Sequence, residues 1–182
     1  MNNSNTIGTL AAIATMGMGA ISAQDVLAET FVVPVDQPTI MDAVNAAEDG
    51  DTILLKPGRY DERIHNDDKY IEIRGETLDP GLVEIVCDGN WHSIWNREDN
   101  PADGKVRLAN LTFRKQDPTT SSSIYVNDTM VDFTNCQFIG LSQEAVNVDN
   151  TILGGALSMY TSTVTFDLCH FESNWLDNRH DD

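Results

Sequence analysis

Between residues 39 and 50 the apolar positions keep helical time: Ile40, Ala43, Val44 and Ala47 fall at i, i+3, i+4 and i+7, one face of a short amphipathic helix. Thr39 can cap its start, with Asp42 three residues on approximating a capping box, and Gly50 suits the position just past its end. On both sides the period changes. "FVVPV" before the helix and "DTILLKPG" after it read as apolar strands, the second closed by the turn pair Pro57 and Gly58. Short alternating pieces follow: "YIEIRG" at 70 to 75, "LVEIVCDG" at 82 to 89 and "VRLANLTF" at 106 to 113.

The pattern then repeats itself. "SIYVNDTMVDFTNCQFIG" from residue 123 returns without a gap as "ALSMYTSTVTFDLCHFES" from residue 156. Ile124 falls on Leu157, Val126 on Met159, Val131 on Val164, Phe133 on Phe166, Cys136 on Cys169 and Phe138 on Phe171. "VRLANLTF" supplies an earlier copy, aligning Val106, Leu108, Leu111 and Phe113 with the same columns. Structural repeats run to about 20–45 residues, and unequal steps between copies mean loops of different length on equivalent turns. These strands are too short for a sandwich with long hairpins, and no helical pattern links them into βαβ units. Stacked coils remain, in which each copy supplies one rung of the same internal ladders at a spacing of about 4.8 Å. Asn110 and Asn135 share the position before the Leu or Cys rung, where a sharp bend needs a residue tolerant of left-handed backbone; the third copy has Leu168 there.

The run "TIMDAVNAAEDGDTILLKPGRYDE" followed by "YIEIRGE" resembles the opening of the right-handed parallel β-helix proteins of the pectin lyase-like superfamily, where a helix caps the first coil and a G-x-Y-x-E turn follows, here Gly58, Tyr60 and Glu62. "GGALSMYTSTVTFDLCHFESN" is similar to the repeat of large bacterial surface β-helices, matching at Gly154, Gly155, Ala156, Cys169, Phe171 and Asn174. The resemblance covers residues 31 to 175 and implies an all-β, right-handed parallel β-helix of about five coils with a short N-terminal capping helix. It implies fold rather than activity, because such repeats are structural.

Composition narrows the function. Asp and Glu number 29 against 11 Lys and Arg, a formal charge of −18 that repels a phosphate backbone, so nucleic acid is no partner. Carboxylate-rich loops could take calcium, but no D-x-[DN]-x-[DN]-G spacing supports it, and no other cofactor or metal motif is written in the chain. Residues 7 to 23, "IGTLAAIATMGMGAISA", form an apolar run followed by small residues, as in a secretory signal, although no Lys or Arg precedes Lys56. Such a run is short and rich in Gly and Ala beside the roughly 20 strongly apolar residues of a membrane span. The expected organisation is a leader at 1–28, a β-helix domain at 29–176 and an acidic tail at 177–182, secreted or on the cell surface. Cys87, Cys136 and Cys169 show no metal spacing and read as packing residues, the last two sharing one repeat position.

Catalysis finds little footing in the residues. The pectin methylesterase elements Q-D-T-L, D-F-I-F-G and L-G-R-P-W are missing, as are the G-H-G and R-x-K of polygalacturonase-like hydrolysis. A pectate lyase-like base would come from Arg74, Arg107, Arg114 or Lys115, candidates by type alone, and catalytic residues stay unassigned. His65, His92, His170 and His180 read as surface or loop residues. Trp91 and Trp95, with His92 between them and Asp88, Asn90, Asn96, Arg97 and Glu98 around them, have the composition of a sugar-binding shelf; the bland alternative is a loop folded over a coil. The expectation is a non-catalytic β-helix for carbohydrate binding, adhesion or structure, its partner a polysaccharide or surface glycan; the alternative is a polysaccharide lyase or esterase. Because the third copy runs straight into "NWLDNRHDD", its end calls for a minimal lid from Trp175 and Leu176, further coils of a longer β-helix, or end-to-end self-association, with further coils the favoured reading.

Overall fold

The computed structural model describes residues 27–87, 92–95, 104–115, 123–144, 151–152 and 155–177. In chain order its elements begin with β1 (Thr30–Val33), α1 (Ile40–Ala46), β2 (Thr52–Leu55), β3 (Gly58–Tyr60), β4 (His65–Asp67), β5 (Glu72–Gly75), β6 (Val83–Cys87) and β7 (His92–Trp95). They continue with β8 (Val106–Ala109), β9 (Thr112–Lys115), β10 (Ile124–Asn127), β11 (Met130–Thr134), β12 (Gln137–Ile139), β13 (Ser142–Glu144) and β14 (Thr151–Ile152). The last are β15 (Leu157–Tyr160), β16 (Thr163–Asp167), β17 (His170–Glu172) and β18 (Trp175–Asp177).

The strands sort into three sheets that the chain visits in turn. The first runs β1-β2-β5-β8-β11-β16, the second β3-β6-β9-β12-β17, and the third β4-β7-β10-β15, with β14 added antiparallel to β15. The other pairings in these sheets are parallel, and β13 pairs with β18, also in parallel, as a small fourth sheet. All-β structure in which non-local parallel neighbours recur in the same order is the arrangement expected of a parallel β-helix.

Register follows the sequence alignment residue for residue. Val106, Val131 and Val164 lie opposite one another in the first sheet, as do Leu108, Phe133 and Phe166; Phe113, Phe138 and Phe171 do so in the second. The apolar column extends back through Phe31, Ile53 and Ile73 to Leu108. Phe133 and Phe138 are completely buried, and rings of successive rungs stack nearly parallel: Phe133 on Phe166 at 5.4 Å and Phe138 on Phe171 at 4.6 Å between centroids. Offset stacking adds to area burial, so a column of like rings is favoured over a mixed one.

Each phrase of the repeat is not one strand but two, broken by a bend. Asn110, Asn135 and Leu168 all hold positive φ, of 57°, 50° and 55°, and turn the chain from the first sheet into the second. Asn135 Nδ2 donates to Asn110 Oδ1 at 2.9 Å, so the bends are themselves laddered. One coil earlier the same column holds Gly75, where a Cβ would lie 2.4 Å from the Asn110 carbonyl oxygen. Only a bare backbone fits beneath that bend.

The helix forms where the apolar spacing placed it. Thr39 Oγ1 accepts from Asp42 N, as the capping box requires, and Ile40, Ala43 and Val44 are buried against β1, β2 and β4 at the first edge of the stack. Its end differs from expectation. Ala47 is the C-cap, and Gly50, at φ 94°, serves instead in the turn that leads into β2.

Candidate functional site

The predicted sugar-binding shelf is only partly within view. Trp91 lies outside the described residues, as does the side chain of Trp95, whose backbone ends β7 in register with Asp67 of β4. His92 is a correction: it is a core residue, 1% exposed, not a loop or shelf residue. Its backbone lies opposite Ile124, which lies opposite Leu157, so it fills an inward column of the third sheet. Its Nδ1 accepts from Ile64 N at 3.0 Å, and its ring meets Phe113 edge-on at 5.4 Å. Burial pulls its pKa down to about 4, because an imidazolium there would be stripped of water. The signal was available in the sequence: "HSIW" laid over "IYVN" and "LSMY" puts His92 in an apolar column.

Of the cationic candidates, Arg107 is held in a charge ladder on the outer face of the first sheet. Glu72, Arg107, Asp132 and Thr165 lie opposite one another on successive strands, so the sign alternates over the first three rungs and a neutral hydroxyl follows. Lys105 Nζ lies 3.0 Å from Asp132 Oδ2, and the Thr165 hydroxyl donates to Asp132 Oδ1. Burial pushes the Asp132 carboxyl up, but the hydrogen bonds from Thr165 and Lys105 outweigh it and hold the group below its ordinary value. Arg74 and Arg114 face Glu72 and Glu84 at 3.9 and 3.5 Å. Lys115 Nζ donates to Ser142 Oγ and sits 4.8 Å from the centre of the Trp175 ring. Each of these cations has a neighbour that explains it.

The early-turn residues behind the family resemblance act structurally. Glu62 accepts from Ile40 N and Met41 N at 3.1 and 3.2 Å, placing a carboxylate at the start of α1 from 22 residues away. Tyr60 donates its hydroxyl to the Lys56 carbonyl at 2.7 Å. Desolvation raises its pKa, with the charges of Glu62 and Glu76 adding to the effect, so the phenol stays protonated. At the other matched element, a Cβ on Gly155 would fall 2.4 Å from the backbone of Trp175, which accounts for a glycine there.

The surface with chemistry to offer is the rung of β16 and β17, the last among the described residues. Phe166 and Phe171 are 42% and 47% exposed although their partners one rung below are fully buried, and Leu168 is 78% exposed. β16 and β17 close their sheets' strand orders, so among the described residues each has a ladder partner on one side only. Trp175, pairing through β18 with β13, is itself 44% exposed, and the two phenylalanines stay open beside it; the side chain of Leu176, the other half of the expected lid, lies outside the described residues. An apolar face bordered by unpaired strand edges accepts another strand by main-chain hydrogen bonding and apolar stacking together.

No family model, curated protein or solved structure matched the chain when it was compared with each.

Proposed function

We propose that this chain is a right-handed parallel β-helix of about five coils, of the pectin lyase-like kind, exported to the medium or cell surface as a non-catalytic structural module that associates through its exposed apolar rung. The open rung of Phe166 and Phe171 carries this reading. A second copy suits it well. Antiparallel pairing of β16 with its counterpart about Thr165 brings Val164 opposite the other copy's Phe166, merging two apolar columns, and sets Thr163 opposite Asp167 on the outer face. The acidic surface opposes this approach at low salt, so association should strengthen as salt screens the charge.

Light scattering behind size exclusion, from low to high micromolar protein, tests the reading. Assembly should rise with concentration and with salt, and Phe166→Asp should abolish it. A concentration-independent monomer that binds no hydrophobic dye would overturn this association. Release of unsaturated product or methanol from polygalacturonate, pectin or alginate, with or without calcium, would overturn the non-catalytic assignment.

A further inference from the structure

Cys136 and Cys169 are the only two of the three cysteines that the fold brings together, since Cys87 lies in β6, a different strand and column. They occupy one column on successive rungs, between the in-register pairs Thr134 with Asp167 and Gln137 with His170. Each follows a left-handed residue, Asn135 or Leu168, so their backbones leave the bend in the same conformation. Each thiol also bonds the carbonyl two residues before it, Cys136 to Thr134 at 3.4 Å and Cys169 to Asp167 at 3.4 Å, so the side chains point the same way. In-register parallel neighbours stand about 4.8 Å apart at Cα, inside the roughly 4.4–6.8 Å that a disulfide spans. The two thiols differ in access: Cys136 is buried, whereas Cys169 is partly exposed at the open rung.

From this juxtaposition we infer that Cys136 and Cys169 form a dithiol–disulfide site, oxidised by low-molecular-weight disulfides, that staples the last rung to the one beneath it. Cys169 reacts first. Its thiolate attacks one sulfur of the small disulfide, forming a mixed disulfide and expelling a thiolate. Cys136 then gives up its proton and displaces the second thiolate from Cys169. Two protein thiols are oxidised by two electrons, one small disulfide is reduced to two thiols, and the protons end on the leaving groups. The closeness of the two thiols supports this order: their interaction lowers the pKa of Cys169 and raises that of Cys136, which burial raises further. Closing a loop of 33 residues restricts the unfolded chain, so the oxidised form should melt roughly 5–10 °C higher.

The purified full chain would be incubated with oxidised glutathione, alkylated, digested and mapped by mass spectrometry, in native buffer and in urea. In native buffer the inferred site yields one linked peptide pair, Cys136 with Cys169, a single alkylated residue at Cys87, and the raised melting temperature. In urea the pairing should scatter over all three cysteines. Cys136→Ser and Cys169→Ser should each lose the linked peptide and the oxidation-dependent shift, while Cys87→Ala keeps both. A lasting glutathione adduct on Cys169, linkage through Cys87 in the folded chain, or no linkage would overturn the inference.

Discussion

At the scale of single residues, the columns explain which positions are costly and which are free to improve. Leu168 holds φ 55° where Asn110 and Asn135 hold nearly the same angle, and it is an exposed apolar side chain in a conformation that suits asparagine. Leu168→Asn should therefore stabilise the chain by about 1 kcal/mol, through relief of left-handed strain and extension of the Asn ladder; chemical denaturation would show it. Phe138→Ala should cost about 3–5 kcal/mol as a buried cavity, and Phe171→Ala, on the open rung, less than half as much. His92 makes stability depend on acid. Its folded pKa, about 4, lies below the ordinary 6.5, so the unfolded chain takes up the proton first. Stability is thus full above pH 6.5, is lost as pH falls toward 4 by an amount on the order of 3 kcal/mol, and changes no further below that from this group. His92→Leu, matching Leu157 in its column, should flatten that part of the profile in urea titrations between pH 7 and 4.5. The columns of Val131, Phe133, Cys136 and Phe138 were legible because the repeated phrases align without gaps, and the left-handed bends at Asn110 and Asn135 were legible from residue type, whereas the one at Leu168 was not, since leucine does not mark such a bend. His92 was misread because a polar residue breaks the apolar pattern, and only its alignment with Ile124 and Leu157 betrays it.

Among the elements, α1 shows what local pattern can and cannot reveal. Its face and N-cap were written in the spacing of Ile40, Ala43, Val44 and Ala47 after Thr39. The carboxylate of Glu62 at its start was not, because a contact across 22 residues leaves no local trace. Glu62→Ala should destabilise the protein by about 1–2 kcal/mol, while Glu62→Gln, which keeps an acceptor but loses the charge, should cost less; thermal unfolding of the two variants separates capping from packing. The strand boundaries also exceed what alternation alone can resolve. "VRLANLTF" alternates as one strand, yet Asn110 divides it between two sheets, since a left-handed residue ends one ladder and aims the next.

Across the whole molecule, parallel ladders impose like upon like at every rung, and this is why one phrase recurs: Phe rests on Phe, charge on opposite charge, and the two cysteines on each other. Among the described residues, Phe166 and Phe171 are the members of these columns left half exposed. The glycan-binding shelf rested on composition alone, and Trp91 and the side chain of Trp95 lie outside the described residues. The most direct measurement is a crystal structure of the full chain. It should show a right-handed winding in which Val131, Phe133, Cys136 and Phe138 lie directly beneath Val164, Phe166, Cys169 and Phe171, as four vertical columns. A structure that pairs these eight residues through antiparallel hairpins, or that turns them to the outer faces, would contradict the account.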